Sequence, residues 1–130
     1  MTDIFPAFRY RDARAAIDLL VNAFGFTKRA AYEDDAGIIQ HAELSYGDGM
    51  VMLGQNPDRP DPERLDMPTG GGSAYIVIDD PDAHHARAQA AGVEIVRELR
   101  DEEYGSRGYT ARDHEGNLWS FGTYRPQPGA

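Results

Sequence analysis

The chain contains no cysteine among its 130 residues. Disulfides, thiolate metal sites and a cysteine nucleophile are therefore excluded. The absence also fits a reducing compartment, where disulfides are rare. Residues 1–6 lack the basic start and the apolar run of a secretory signal, so we expect a cytoplasmic protein.

Long apolar runs and basic residues are also scarce. No stretch is apolar enough to span a bilayer, and 13 Lys and Arg face 22 Asp and Glu, giving a net charge of −9. Because an acidic chain repels phosphate backbones, we expect neither nucleic acid nor a membrane as a partner. The charge suits a cationic or neutral small molecule, although solubility alone explains it.

The length and the apolar content of the chain are those of one compact domain. Hydrophobic residues make up 41% of the sequence and charged residues 27%, which is typical of a globular protein. A chain of this size buries a core without disulfides or metals. We therefore predict a single domain over residues 1–130.

Residues 4–55 and 72–124 share one layout. Each segment opens with an apolar run that ends in aspartate, continues as a helix, and ends at a glycine followed by an apolar residue. The aspartate and the glycine are 13 positions apart in both segments, Asp12 to Gly25 and Asp79 to Gly92. The matching offset indicates a duplicated module.

Local signals predict one helix in each module. Asp12 and Asp80 are suitable N-caps, because a carboxylate accepts hydrogen bonds from the free N–H groups of the first turn. The first helix has one apolar stripe, formed by Ile17, Leu20, Val21 and Phe24. The second is rich in alanine, which favours helix. Its two histidines, His84 and His85, are expected at the edge of the core and in solvent, respectively.

Three strand-like runs follow each helix, at 27–32, 38–46 and 50–54, and again at 94–99, 108–112 and 118–124. Turn signals join the last two runs of each module. The predicted fold class is therefore α+β, with two tandem βαβββ modules. A linker rich in proline and glycine, residues 56–71, connects them, and Leu65 and Met67 are its candidate anchors.

Four stretches of this sequence, residues 10–26, 42–49, 79–93 and 113–121, resemble the vicinal oxygen chelate superfamily of glyoxalases, bleomycin-resistance proteins and extradiol dioxygenases. They occur in the expected order and cover nearly the whole chain. The resemblance implies a half-open barrel around a cavity, with the helices outside. It also implies a homodimer, in which some members exchange modules between chains.

Enzymes of this superfamily hold a divalent metal with histidine, glutamine or glutamate side chains. Carried over by the resemblance, the ligand positions fall on Phe5, Glu43, Ser73 and Ser120. Only Glu43 is a good ligand, and His41 lies on the same face of the same strand. Because two donors on one strand do not complete a coordination shell, we predict no metal and no cofactor.

Strand alternation, together with the resemblance, predicts which side chains face the cavity. The predicted ligand-binding residues are Phe5, Arg9, His41, Glu43, Ser73, Tyr75, Tyr104, Arg107, Tyr109 and Ser120. They combine aromatic walls with a carboxylate, and residues 104–107 form a loop at the mouth. The parity of Trp119 places it in the core rather than in the cavity.

The sequence leaves three functions open. The favoured one is a metal-free protein that binds a planar or amphipathic organic ligand, with Glu43 against a cationic group, as in drug sequestration for antibiotic resistance. The second is a metal-dependent lyase or dioxygenase. The third is a metal-free enzyme that uses Glu43 as a general base.

Overall fold

The computed structural model describes residues 3–63, 65 and 67–129. The first module comprises β1 (Ala7–Tyr10), α1 (Ala13–Asn22), β2 (Thr27–Glu33), β3 (Ile39–Tyr46) and β4 (Gly49–Gln55). The second comprises β5 (Ser73–Val77), α2 (Pro81–Ala90), β6 (Glu94–Asp101), β7 (Arg107–Arg112) and β8 (Leu118–Gly122). The predicted α+β class and the two βαβββ modules are confirmed, with small differences at the strand ends.

Each module forms its own four-stranded mixed sheet. The strand orders are β1-β4-β3-β2 and β5-β8-β7-β6. In both sheets the first and last strands of the module pair in parallel, and the other neighbours are antiparallel. The two sheets are not closed into a barrel in the part of the chain that the structure describes.

The helices begin and end at the predicted residues. Asp12 and Asp80 each accept a hydrogen bond of 3.1 Å from the backbone N–H three residues later. Gly25 and Gly92 follow the helices with φ of 81° and 83°, a conformation that glycine adopts at little cost. No helix among the described residues is long and apolar enough to cross a membrane.

One hydrophobic core joins the two modules. The Phe8 ring lies 4.9 Å from Trp119, and the Phe24 ring lies 4.7 Å from Phe121. Trp119 is fully buried, which confirms its predicted place in the core. Each sheet turns one face, its inner face, towards this core. The opposite face of each sheet points away from the core, and we call it the outer face.

A buried carboxylate ties the modules together. Asp113 accepts hydrogen bonds from the Tyr10 hydroxyl at 2.6 Å and from Trp119 Nε1 at 3.1 Å. Burial by itself would raise the pKa of Asp113, but hydrogen bonds, first among them that from Tyr10, outweigh it and hold the pKa below its ordinary value. The ionised carboxylate therefore links β1 to the turn between β7 and β8.

The second module also caps both ends of α1, which has no acidic residue in its first turn and no basic residue in its last. The Glu115 carboxylate accepts the backbone N–H groups of residues 11 and 12, both at 2.7 Å. Arg87 donates to the carbonyl groups of residues 21 and 22, at 3.1 and 3.0 Å. These charges complement the helix dipole.

The structure corrects the predicted places of His84 and His85. His84 is buried, and its Nε2–H donates to the Phe24 carbonyl at 2.8 Å while Nδ1 accepts from the Tyr109 hydroxyl at 2.6 Å. Burial is the main cause that lowers its pKa. The His85 side chain is only 15% exposed and pairs with Glu98.

The linker folds back towards the end of β1. Asn56 Nδ2 donates to the Met67 carbonyl at 2.7 Å, and Arg9 Nη1 donates to the Leu65 carbonyl at 3.4 Å. The side chains of Leu65 and Met67 stay exposed. Polar contacts to the backbone, rather than the predicted apolar anchors, therefore hold this segment.

Candidate ligand-binding site

The outer face of the first sheet carries a histidine–glutamate pair. His41 Nε2 lies 2.7 Å from Glu43 Oε2, and the two side chains are 39% and 35% exposed. The Tyr32 ring stacks on His41 with 6.1 Å between centroids. Arg9 belongs to the same face and is held by the linker. One oxygen of the Glu43 carboxylate is thus engaged, and the group remains accessible.

The outer face of the second sheet carries serine, threonine and tyrosine side chains. Ser120 lies beside Tyr75 across the β5–β8 pair, and its hydroxyl is 2.8 Å from that of Thr110. Tyr75 is 43% exposed and donates to the Tyr124 carbonyl at 2.6 Å. A Cβ on Gly122 would lie 2.9 Å from the Tyr75 hydroxyl, so glycine is needed where the phenol crosses β8.

The predicted cavity residues therefore divide between two faces. Arg9, His41 and Glu43 lie on one sheet, and Ser73, Tyr75 and Ser120 lie on the other. Because the inner faces of the sheets share one core, the two groups do not face each other within a chain. Alternation places these side chains on the face of each strand opposite the core, but it carries no information on how the modules pack.

Two predicted ligand-binding residues lie elsewhere. Tyr109 is 3% exposed and lies opposite Phe121, so it belongs to the core and its assignment to the cavity is wrong. Arg107 forms ion pairs with Asp82 at 2.9 Å and Asp101 at 3.3 Å, which hold it against α2 and β6. The pairing of Tyr109 with Phe121 across the β7–β8 hairpin is a sequence signal that would have placed it correctly.

The remaining predicted residues lie at the margins of the outer faces. Phe5 precedes β1 and is 48% exposed, and Tyr104 is 68% exposed. The Tyr104 ring, in the loop before β7, packs edge-on against the ring of Tyr124, which follows β8, with 5.6 Å between centroids. The Tyr124 carbonyl accepts from the Tyr75 hydroxyl, so this aromatic pair lies at the margin of the second outer face.

A cavity of about 790 Å³ opens between the β3–β4 hairpin, β5 and the start of α2. Among its apolar lining residues are Pro6, Phe26, Met50, Val51, Ile76 and Ile78. Of the predicted ligand-binding residues, only Tyr75 contributes to it. This cavity is therefore not the one that the sequence predicted.

Among the described residues, β1 and β5 are edge strands with a neighbouring strand on one side only. The Pro6 carbonyl, just before β1, accepts from Met52 of β4, and the Tyr10 carbonyl accepts from Asn56, just after β4. The backbone groups of Ala7 and Arg9 therefore point to the open side. In β5 the Ile78 N–H donates to β8 in the same way. Within the described residues of one chain, β1 and β5 are thus free sheet edges.

The side chains do not fit a divalent metal. Among the residues that the structure describes, no group of three or more His, Asp or Glu side chains is placed to hold an ion. Phe5, Ser73 and Ser120 stand where the family resemblance puts ligands, and none is a good donor. His41 and Glu43 alone do not complete a coordination shell.

The family model for the Glyoxalase/Bleomycin resistance protein/Dioxygenase superfamily matches residues 5–121. This match covers most of the chain, and the paired βαβββ modules agree with it. The chain therefore belongs to this superfamily.

Similar proteins come from several bacteria. TioX from Micromonospora sp. ML1 is 32% identical, with 96% of this chain and 100% of that chain covered and a TM-score of 0.80. An uncharacterised protein of Mycobacterium bovis is 30% identical over 115 residues, which are 85% of this chain and 76% of that protein. A lactoylglutathione lyase from Agrobacterium tumefaciens is 21% identical, with 94% and 93% covered and a TM-score of 0.68, a likeness of fold alone.

Proposed function

We propose that this protein binds a small planar or amphipathic organic cation without a metal, in a site shared by two copies of the chain. The observation that carries the proposal is the division of the candidate residues into two exposed half-sites, neither of which holds a metal-ligand set. Such a protein acts by burying its ligand, as in the sequestration of a drug, and no bond changes.

The geometry of the sheets supports a homodimer. Each chain leaves two outer faces open, beside the free edges of β1 and β5. In a twofold dimer, β1 of each chain can lie beside β5 of the partner. The same contact then occurs twice, and each outer face of the first sheet is covered by an outer face of the partner's second sheet. Glu43 of one chain would then face Tyr75 of the partner subunit across a common cavity.

The chemistry of the two faces favours a cation. Glu43 supplies a carboxylate with one engaged oxygen, and Tyr32 and Tyr75 supply half-exposed aromatic rings. A cation is attracted both to the carboxylate and to the faces of aromatic rings. Covering the site on dimerisation would remove water and strengthen these contacts.

Titration with ethidium, a planar organic cation with a fluorescence readout, tests the proposal. We expect saturable binding, and Glu43→Gln should weaken it by about tenfold, since an ion pair shielded from water is worth about 1–2 kcal/mol. Glu63→Gln, in the exposed linker, is the matched control for charge. Equal affinity of the two variants, or tighter binding of an anionic naphthalene sulfonate, would count against a cation site.

Metal content separates this function from the metal-dependent alternative. The protein would be purified without a chelating tag, supplied with nickel, zinc, manganese and iron(II), and measured by mass spectrometry. We expect far less than one metal per chain, because the donors do not converge. One tightly held ion per chain would contradict the proposal and would lead to assays of lyase and dioxygenase activity.

The His41–Glu43 pair is the one observation in favour of a metal-free enzyme. A carboxylate bonded to histidine at 2.7 Å resembles the base–orienter pairs of general-base catalysis. His41 and Glu43 are, however, two positions apart on one strand, where alternation alone brings side chains together, so the contact does not by itself mark a base. We therefore place ligand binding first.

A further inference from the structure

A second, smaller cavity of about 320 Å³ lies beside the carboxyl end of α1. Its polar lining comes from Thr27, Arg29, Ser45, Tyr46, His84 and Arg87. None of the described residues that line it is Asp or Glu, although acidic residues outnumber basic ones by 22 to 13 in the chain. We call it the Arg29–Arg87 pocket.

We infer that the Arg29–Arg87 pocket binds an oxyanion, the phosphate or carboxylate group of a small molecule. The pocket contains two guanidinium groups and, among its described lining residues, no carboxylate. It is therefore locally positive, whereas the chain as a whole carries a net charge of −9. The planar fork of N–H groups on arginine matches the oxygens of phosphate and carboxylate. None of Arg9, His41 and Glu43 lines the pocket, so the inference goes beyond the proposed cation site.

The Arg29 guanidinium is held in place through its Nε, and its two Nη atoms are available for a ligand. Its Nε donates to Ser45 Oγ at 2.8 Å, and Ser45 is only 7% exposed. Within the described part of the chain, neither Nη of Arg29 has an acceptor. Because the Ser45 oxygen already accepts this bond, its own proton is available to an anion.

Arg87 is fixed by the end of α1. Its Nε and Nη2 donate to backbone carbonyl groups, which leaves Nη1 without an acceptor among the described residues. Nη1 lies over Gly25, where an added Cβ would be 3.1 Å away. A guanidinium held in this way loses little entropy when it binds an anion.

Tyr46 stands between this pocket and the acidic side of the larger cavity. Burial raises its pKa, the nearby Asp79 carboxylate raises it further, and Arg87 opposes the shift. The hydroxyl therefore stays protonated and can donate. Asp48, Asp79 and Asp80 line only the larger cavity, whereas Arg87 lines both, so the carboxylates lie on the far side of Tyr46 from Arg29.

The test uses inorganic phosphate and acetate as probes at constant ionic strength, with calorimetry on the full-length chain. We expect at least one anion to bind, and Arg29→Gln should weaken it at least about tenfold, the loss of one charge-assisted contact. Arg59→Gln, in the exposed linker, makes the same charge change and should alter affinity less than about twofold. Stronger binding of phosphate would identify a phosphoryl group, and stronger binding of acetate a carboxylate.

Arg29 is the better position to alter, because Arg87 also caps α1 and its loss would disturb the fold. Circular dichroism would verify that Arg29→Gln is folded, and its ethidium affinity should equal that of the unaltered chain. An unchanged ethidium affinity would show that the substitution affects anion binding alone, so the two binding proposals can fail independently. Binding of neither anion, or equal binding by Arg29→Gln and Arg59→Gln, would overturn the inference.

Discussion

Asp113 shows at the scale of single residues how a polar group stabilises the contact between two modules. Its carboxylate is buried, yet every hydrogen-bonding direction meets a donor from a side chain or a backbone N–H. A buried charge is tolerated only under such conditions. The residues around it should therefore be sensitive to the loss of a single atom.

Tyr10→Phe removes the hydroxyl that donates to Asp113 and leaves the ring in the core. We expect the free energy of unfolding to fall by about 1.5–3 kcal/mol, because a hydrogen bond to a charged group is lost. Urea denaturation measures the change. Tyr32→Phe, at a ring that is 60% exposed, is the control and should be nearly neutral. An equal effect of both substitutions would show that the Asp113 bond is unimportant.

His84 should make stability depend on pH. Burial holds its pKa below the ordinary value of 6.5, so the unfolded chain takes up the proton first as the pH falls. The contribution of the neutral ring is complete above about pH 6.5 and is lost as the pH falls through the lower, folded-state pKa. Urea denaturation at a series of pH values should therefore show falling stability on the acid side.

The matched variants are His84→Gln and His41→Gln, the second at an exposed histidine. We expect His84→Gln to flatten the loss of stability on the acid side of about pH 6.5, and His41→Gln is the control substitution. If His84→Gln kept the slope of the unaltered protein, the loss of stability would come from other groups.

At the scale of secondary structure, α1 depends on residues that are distant in sequence. Asp12 caps its start locally, but Glu115 and Arg87 supply the charges at its two ends from the second module. The helix has a good apolar stripe and lacks charges of its own to match its dipole. Its stability is thus coupled to the docking of the second module.

Glu115→Ala should lower the free energy of unfolding by about 1–2 kcal/mol, the usual effect of losing a helix cap. Glu115→Gln keeps one acceptor oxygen and should cost less. Denaturation curves of both variants can be compared with that of Glu103→Ala, an exposed glutamate in the loop before β7. A loss as large in Glu103→Ala would mean that net charge, and not the contact with α1, decides stability.

At the scale of the whole molecule, the outer faces of both sheets are uncovered in a single chain, and a dimer would cover them. We expect a dimer of 28.8 kDa, twice the 14.4 kDa of one chain, in native mass spectrometry. Val77→Lys places a charge on the outer face at the edge of β5 and should shift the population towards monomer. Val96→Lys, on β6 at the opposite edge, is the control. A monomeric unaltered chain would contradict the shared site.

Local signals were sufficient for the elements and for most of the faces. The caps Asp12 and Asp80, the glycines after each helix and the alternation of the strands predicted both modules and the core position of Trp119. These features depend on contacts within a few residues. The prediction for Tyr109 was wrong, because this residue lies opposite Phe121 in the β7–β8 hairpin and shares its core face.

By itself, the sequence determined that this chain forms two βαβββ modules, each with a core face and a polar face, because a period of two and a helix cap are local properties. Only the tertiary structure decided that the core faces meet and the outer faces stay open. That outcome rests on contacts such as Tyr10 to Asp113, which are 103 positions apart. The tertiary structure also placed Arg29 and Arg87 in one pocket. The sequence could not predict this, because no local spacing relates residues of different modules.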